Sequence, residues 1–238
     1  MATAITYRTG KVGAAMTNRA PLTIDRHAVV ERLWLDETSW VDVVRRFVRE
    51  PATLTASLLD DVVWRPDEQF RYEVTITSPR LIATPRGESL PAAVRQIELH
   101  LAATYRRRFS GPALIQYRTG RDSVAFHRDR EMRWLDDTLI AIVSLGATRP
   151  FAFRPVHSRR DDDTHDHRID LNSGDLIVMG GRAQQDWLHA VPKCDASEPR
   201  VSMTWRWTSR GGRPDSSAPY RGARHFGDSG RVGPQRRN

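Results

Sequence analysis

The 238-residue chain contains a single cysteine, Cys194, and only two lysines, Lys11 and Lys193. One thiol excludes an internal disulfide, and without a CxxC pair a thiolate zinc site is not expected. No stretch approaches the roughly 20 continuous apolar residues that span a bilayer. The opening segment MATAITYRTGKVGAAM is too polar for a secretory leader, so a cytoplasmic location is expected. The sequence also has no internal repeat.

What is present fits a soluble globular protein, with 39% hydrophobic and 28% charged residues. The length allows one ordinary core with ragged ends. A net charge of +8 rests almost wholly on arginine. From Ser209 onward seven arginines face only Asp215 and Asp228, leaving the rest of the chain weakly basic. Arginine forks match phosphate oxygens, so a polyanionic partner is permitted; a GC-rich genome would give the same usage. Residues 1–20 are expected to be a flexible segment, and residues 209–238, rich in Gly, Pro, Ser and Arg, a disordered basic tail. Nothing in the sequence suggests more than a monomer.

Between these ends the pattern changes once. Trp40, Val44, Phe47 and Val48 share a helical face after Ser39, a suitable cap, which predicts a helix there. A second helix is predicted from Pro91, with Val94, Ile97, Leu101 and Tyr105 aligned. Between them FRYEVTIT (70–77) alternates as a strand does, and Ser78-Pro79 is expected to end it. From Ala113 the chain breaks into short strand candidates: ALIQY (113–117), TLIAIVSL (138–145), PFAFR (150–154), DLIVMG (175–180), WLHAV (187–191) and RVSMTWRW (200–207). Asn172-Ser173-Gly174 reads as a turn before the fourth. Six strands without intervening helices predict a β sandwich or jelly roll with the helices packed outside it, a mainly β, α+β fold.

Within that pattern lies a metal-ligand constellation. His127 and Asp129 are two apart on an extended segment, so their side chains point the same way. His189 comes from a later strand. Two imidazoles and one carboxylate on one face of an ion leave three positions open, the arrangement of non-haem iron(II) oxygenases. HxD alone is common by chance, and a lone strand histidine is commonly a core residue. The addition that decides is Arg200-Val201-Ser202-Met203-Thr204-Trp205-Arg206. On a strand, Arg200, Ser202, Thr204 and Arg206 share one face. Two guanidinium groups on an inward face require an anion, which a dicarboxylate such as 2-oxoglutarate would supply.

These residues sit in blocks that resemble the AlkB family of nucleic-acid dealkylating dioxygenases. The blocks are PRLIAT (79–84), YRTGRDSVAFHRDRE (117–131), IVSLGATRPFAFR (142–154), SGDLIVMGGRAQQDWLHAVPK (173–193) and EPRVSMTWRW (198–207). The resemblance implies a double-stranded β-helix, with a helical and substrate-lid part over about 21–112 and a jelly-roll core over about 113–208. It implies iron(II) on His127, Asp129 and His189. By the same resemblance, 2-oxoglutarate is held by Arg200, Tyr117, Ser202 and Arg206, and the substrate base by Arg130, Glu131, Arg154 and Arg80.

The chemistry so implied is oxidative dealkylation of bases in DNA or RNA. 2-Oxoglutarate and dioxygen are consumed, succinate forms, and the N-alkyl carbon leaves as an aldehyde. A base inside a duplex would first be flipped out. Several positions depart from the family pattern. Ile115 replaces the asparagine two before the tyrosine, and Ser202 replaces the asparagine after the first arginine. Arg130 replaces a second aspartate after HxD. No Tyr or Phe occurs between Tyr72 and Tyr105 to stack on a flipped base. Two other readings therefore stand beside repair. One keeps the iron chemistry on a modified tRNA base, a protein or a small molecule; the other is a catalytically weak nucleic-acid-binding protein. DDDTHDHR (161–168) is expected to be a solvated loop, Cys194 an incidental loop residue, and Trp187 and Trp205 packing residues.

Overall fold

The computed structural model describes residues 24–71, 74–84, 91–129, 132, 137–158 and 163–209. Twelve strands and three helices occur among them. The elements run β1 (Val30–Trp34), β2 (Ser39–Val44), α1 (Pro51–Asp61), β3 (Arg65–Arg71), β4 (Val74–Ala83), α2 (Ala92–Tyr105), β5 (Ser110–Tyr117) and β6 (Val124–His127). Then follow β7 (Thr138–Gly146), β8 (Arg149–Pro155), β9 (His167–Leu171), β10 (Leu176–Gly181), α3 (Ala183–Asp186), β11 (Trp187–Val191) and β12 (Arg200–Thr208).

Eight strands form one antiparallel sheet in the order β1-β2-β10-β7-β12-β5-β4-β3, and four form another in the order β6-β11-β8-β9. The alternation of β7 explains how both are covered. Ile140 and Ile142 join Phe151, Phe153, Ile177 and Trp187 in the core between the sheets. Leu139, Ala141, Val143 and Leu145 face the other way, against Leu54 and Leu58 of α1 and Val94, Ile97 and Leu101 of α2. A strand buried on both faces reads as a continuous apolar run, which is why TLIAIVSL shows no polar alternation. The jelly-roll expectation is met, and so is the placing of the helices outside the large sheet.

Two local expectations are corrected. The segment after Ser39 is the strand β2, not a helix. Trp40 and Val44 pack toward the helices whereas Val41 and Val43 pack between the sheets, so spacing of four satisfied a period of 2 as well as 3.6. Ser39 closes a hairpin turn: its carbonyl accepts the Leu35 amide at 2.9 Å, and Asp36 Oδ1 accepts the Thr38 and Ser39 amides at 2.7 Å each. The helix begins later, at Pro51, in the favoured first-turn position. The expected strand 70–77 is instead the end of β3 and the start of β4, paired antiparallel. Ser78-Pro79 does not end β4. Asp67 pairs with Ser78 but Pro66 pairs with Leu81, so Pro79 sits in a bulge where its missing N–H breaks no ladder bond.

Candidate metal centre and anion pocket

The metal constellation is assembled by strand pairing. His127 ends β6 and His189 lies on β11, and the two are direct cross-strand partners with ring centroids 4.3 Å apart. Asp129 follows two residues beyond β6. One ligand atom from each of the three residues lies within 4.8 Å of the others. His127 Nδ1 is 2.9 Å from the Ala125 carbonyl. A carbonyl only accepts, so Nδ1 carries the proton and Nε2 is left bare to bind a cation. That Nε2 lies 3.8 Å from Asp129 Oδ1. The other carboxylate oxygen, Oδ2, accepts Arg206 Nε at 2.6 Å, which leaves Oδ1 for a metal.

Electrostatics keep all three groups in their ligating forms. Burial pushes the His189 pKa down to about 3, helped by the neighbouring His127 ring. His127 is likewise lowered, chiefly by burial. For Asp129 burial works toward protonation, but Arg206 and the two histidines outweigh it and hold the carboxyl below its usual range. A cluster of two neutral imidazoles and a carboxylate is a hard-to-intermediate donor set that suits a first-row divalent metal.

A glutamine absent from the sequence reading ties the cluster together. Gln184, 1% exposed, accepts the Asp129 amide at 3.0 Å through Oε1, and its Nε2 lies 3.5 Å from His189 Nδ1. Arg128 donates to the Gln185 carbonyl at 2.6 Å. The four-residue turn α3 thereby fixes the HxD segment to the strand that bears His189. The sequence signal for it was slight, a polar residue five before a ligand histidine.

The alternation expected along β12 is present. Val201, Met203 and Trp205 enter the helix-side core, while Ser202, Thr204 and Arg206 line the cavity that holds His127, Asp129 and His189. Deeper in, Arg200 is 1% exposed; its Nε donates to Ser144 Oγ at 2.9 Å. Tyr117 lies between two guanidinium groups, with the Arg200 carbon 5.3 Å and the Arg149 carbon 5.5 Å from its ring centre. Arg149 is spent on the carbonyls of Thr119, Asp122 and Pro192 at 2.8–3.0 Å. Arg200 Nη1 is a buried donor with no partner among the described residues. Burial lowers the Arg200 pKa to about 10, and the Arg149 charge works in the same direction. A buried guanidinium with one donor left over, next to a phenol, can receive a carboxylate.

The profile of the 2OG-Fe(II) oxygenase superfamily matches residues 33–213. The chain belongs to that superfamily. Within it the chain is an AlkB-family member: it is 34% identical over 210 residues to human alpha-ketoglutarate-dependent dioxygenase alkB homolog 3, covering 78% of this chain and 72% of that protein. It is 30% identical over 117 residues to human DNA oxidative demethylase ALKBH2, covering 48% of this chain and 45% of that one. In fold it is similar to a prolyl hydroxylase from Trichoplax adhaerens, with a TM-score of 0.50 over 71% of this chain and 83% of that one at 11% identity. The protein is thus an iron(II)- and 2-oxoglutarate-dependent dioxygenase, and the bare His127 Nε2 and the unpaired Arg200 Nη1 are donors that fit these two groups.

The remaining expected residues of the dioxygenase fall into place unevenly. Arg80 lines the cavity and is ion-paired at 2.7 Å with Asp67, both buried. Arg154 is held by Asp166 at 2.8 and 2.6 Å, with its guanidinium 4.3 Å from the Phe126 ring. Arg130 and Glu131 lie outside the described residues. Ile115 forms part of the cavity wall, so the family's amide at that position is replaced by apolar surface. The acidic segment 161–168 is not wholly a loop: His167 and Arg168 open β9, and Asp166 is the partner of Arg154. His165 and His167 are exposed and belong to no metal-capable group among the described residues. Cys194 is a half-buried loop residue. Trp187 and Trp205 are buried in separate cores, as packing residues.

Proposed function

We propose that this dioxygenase removes N-alkyl groups from bases in DNA or RNA. The observation that carries the reading is the 34% identity over 210 residues to an AlkB homolog, within a superfamily match whose residues 33–213 include the whole candidate site. In this reading His127, Asp129 and His189 hold iron(II), and Arg200 receives the distal carboxylate of 2-oxoglutarate beside the Tyr117 hydroxyl. Ser202 adds a hydrogen bond to the co-substrate. Arg206 holds Asp129 and stands near the chelating end. The bound iron supplies the oxidation of the N-alkyl carbon by dioxygen, coupled to decarboxylation of 2-oxoglutarate.

The chain's own residues do the positioning. Ser144 and Tyr117 orient Arg200, so one end of the small dianion is fixed in a charge-assisted pair. The apolar wall of Ile115, Ile140, Ile142 and Phe151 excludes water from the space between that pair and the metal ligands. Arg80 with Asp67, and Arg154, form the side of the site from which a base would enter; Arg130 and Glu131 are assigned to the base by the family resemblance alone. A base in a duplex must be flipped to reach it, so single strands are the easier substrates. No helix among the described residues is long and apolar enough to cross a membrane. A cytoplasmic monomer is the setting we infer.

The test is incubation with iron(II), ascorbate, 2-oxoglutarate and oligonucleotides bearing 1-methyladenine or 3-methylcytosine, read by mass spectrometry. Loss of one methyl mass, abolished by His189→Ala, is the expected result. Succinate formed without demethylation would sink the base-repair reading and move the iron chemistry to another substrate class. Absence of both products, with iron bound, would favour a binding protein.

A further inference from the structure

Helix α2 runs directly into three consecutive arginines, Arg106, Arg107 and Arg108, all exposed. None is ion-paired among the described residues, whereas carboxylates engage other exposed arginines such as Arg32, Arg45 and Arg118. Arg106 closes the helix in the left-handed conformation, with φ of 52°. That position favours glycine, and a side chain there is strained. Stability alone does not account for an arginine at this place.

The middle arginine is held in a set pose. Its guanidinium carbon lies 4.6 Å from the Trp207 ring centre, and its Nη1 donates to the Arg106 carbonyl at 3.2 Å. Trp207 directly follows Arg206, whose Nε grips Asp129. Arg206 is also the cross-strand partner of Ser110, two residues after Arg108. Successive residues of a strand point to opposite faces, so the arginine run lies at the end of the large sheet, around the rim from the metal-side face.

We propose that Arg106, Arg107 and Arg108 bind the phosphodiester backbone of the single strand that flanks the base in the cavity. The inference rests on the nucleic-acid reading given above. Guanidinium forks match phosphate oxygens, and such contacts are independent of sequence. Stacking on Trp207 removes much of the side-chain freedom that Arg107 would otherwise lose on binding. The rim is therefore an electrostatic track that guides the chain, distinct from the groups that touch the base.

The experiment uses the full chain and a triple variant, Arg106→Gln, Arg107→Gln and Arg108→Gln, with a fluorescent single-stranded oligonucleotide. Binding is followed by anisotropy across a salt series. Three lost contacts at about 0.7 each reduce the slope of log affinity against log salt by about 2. The basic tail is common to both proteins, so the difference reports the rim alone. The KM for a methylated oligonucleotide should rise on the order of tenfold at physiological salt, while the KM for 2-oxoglutarate stays put. If the unaltered protein binds and demethylates the oligonucleotide but the triple variant shows the same slope and KM, the rim proposal is wrong and the function stands. Failure of the unaltered protein to bind or demethylate any oligonucleotide would overturn both. Rim-dependent binding to anionic lipid vesicles or an acidic peptide, with none to the oligonucleotide, would overturn the rim proposal.

Discussion

Arg200 carries a buried positive charge whose counter-ion the described residues do not supply, so its two states differ sharply in energy. With a carboxylate bound the guanidinium is satisfied; without one it is a liability. Arg200→Met keeps length and volume while removing the charge. The expected result is a 2-oxoglutarate KM raised about 10- to 100-fold, corresponding to the roughly 1.5–3 kcal/mol of a charge-assisted hydrogen bond. The co-substrate-free protein should melt no lower than its parent. An unchanged KM with a lowered melting temperature would assign Arg200 to the core instead. Gln184 makes a second case. It joins the Asp129 amide to the region of His189 Nδ1, so Gln184→Leu should weaken binding of a redox-stable divalent surrogate by about 10- to 100-fold. Titration by calorimetry reads this directly, and an affinity equal to the parent's would deny Gln184 its positioning role. The two residues also differ in how visible they are in sequence. His127, Asp129, His189 and the β12 arginines stand out because few side chains ligate metals or pair with carboxylates. Gln184, Ser144 and Arg149 act mainly through backbone groups or at positions that only the folded chain brings near, and no spacing announces them.

Helix α2 followed from its apolar stripe, and Val94, Ile97 and Leu101 are indeed 0–1% exposed. Leu101→Ala should therefore cost about 2–5 kcal/mol of unfolding free energy, measured by urea denaturation. Its catalytic constants well below the melting temperature should stay near the parent's, because the side chain lies on the far face of the sheet from the metal ligands; a selective loss of iron affinity would contradict that separation. Strand β2 failed as a sequence reading because its β-branched residues serve both cores, which erased the alternation that marks a strand. The β3–β4 pair failed for another reason: the bulge at Pro79 lets a strand pass through a residue that ordinarily ends one. Both of these errors lie in the N-terminal half, where β2 adds to a sheet through β10, which comes much later in the chain. Local pattern carries no information about such partners.

At the scale of the whole molecule, the site ties stability to pH. Both histidines have pKa values lowered by burial, His189 to about 3. Between the ordinary histidine value of about 6.5 and that lower limit, the unfolded chain takes up protons that the folded one refuses. Stability therefore rises with pH through this window and is lost as the solution is acidified. Asp129, held below its usual range, adds loss of the same sign at still lower pH. Thermal melts of the metal-free protein from pH 7.5 to 4 should show a falling midpoint that begins near pH 6.5. Saturating divalent metal should raise the midpoint throughout this range, since the folded ligands stay deprotonated while the unfolded chain's histidines do not; a midpoint flat with pH would mean that the histidines are not buried as neutral groups. The odd positions of β12 build the helix-side core and its even positions build the anion pocket. A shift of one residue against β5 and β7 would drive Arg200 and Arg206 into hydrocarbon and turn Trp205 toward the metal. The strand thus proofreads its own alignment: a slipped pairing is penalised on both faces at once. Single substitutions along it damage one function each, but deletion of one residue changes the frame and forfeits the core and the chemistry together.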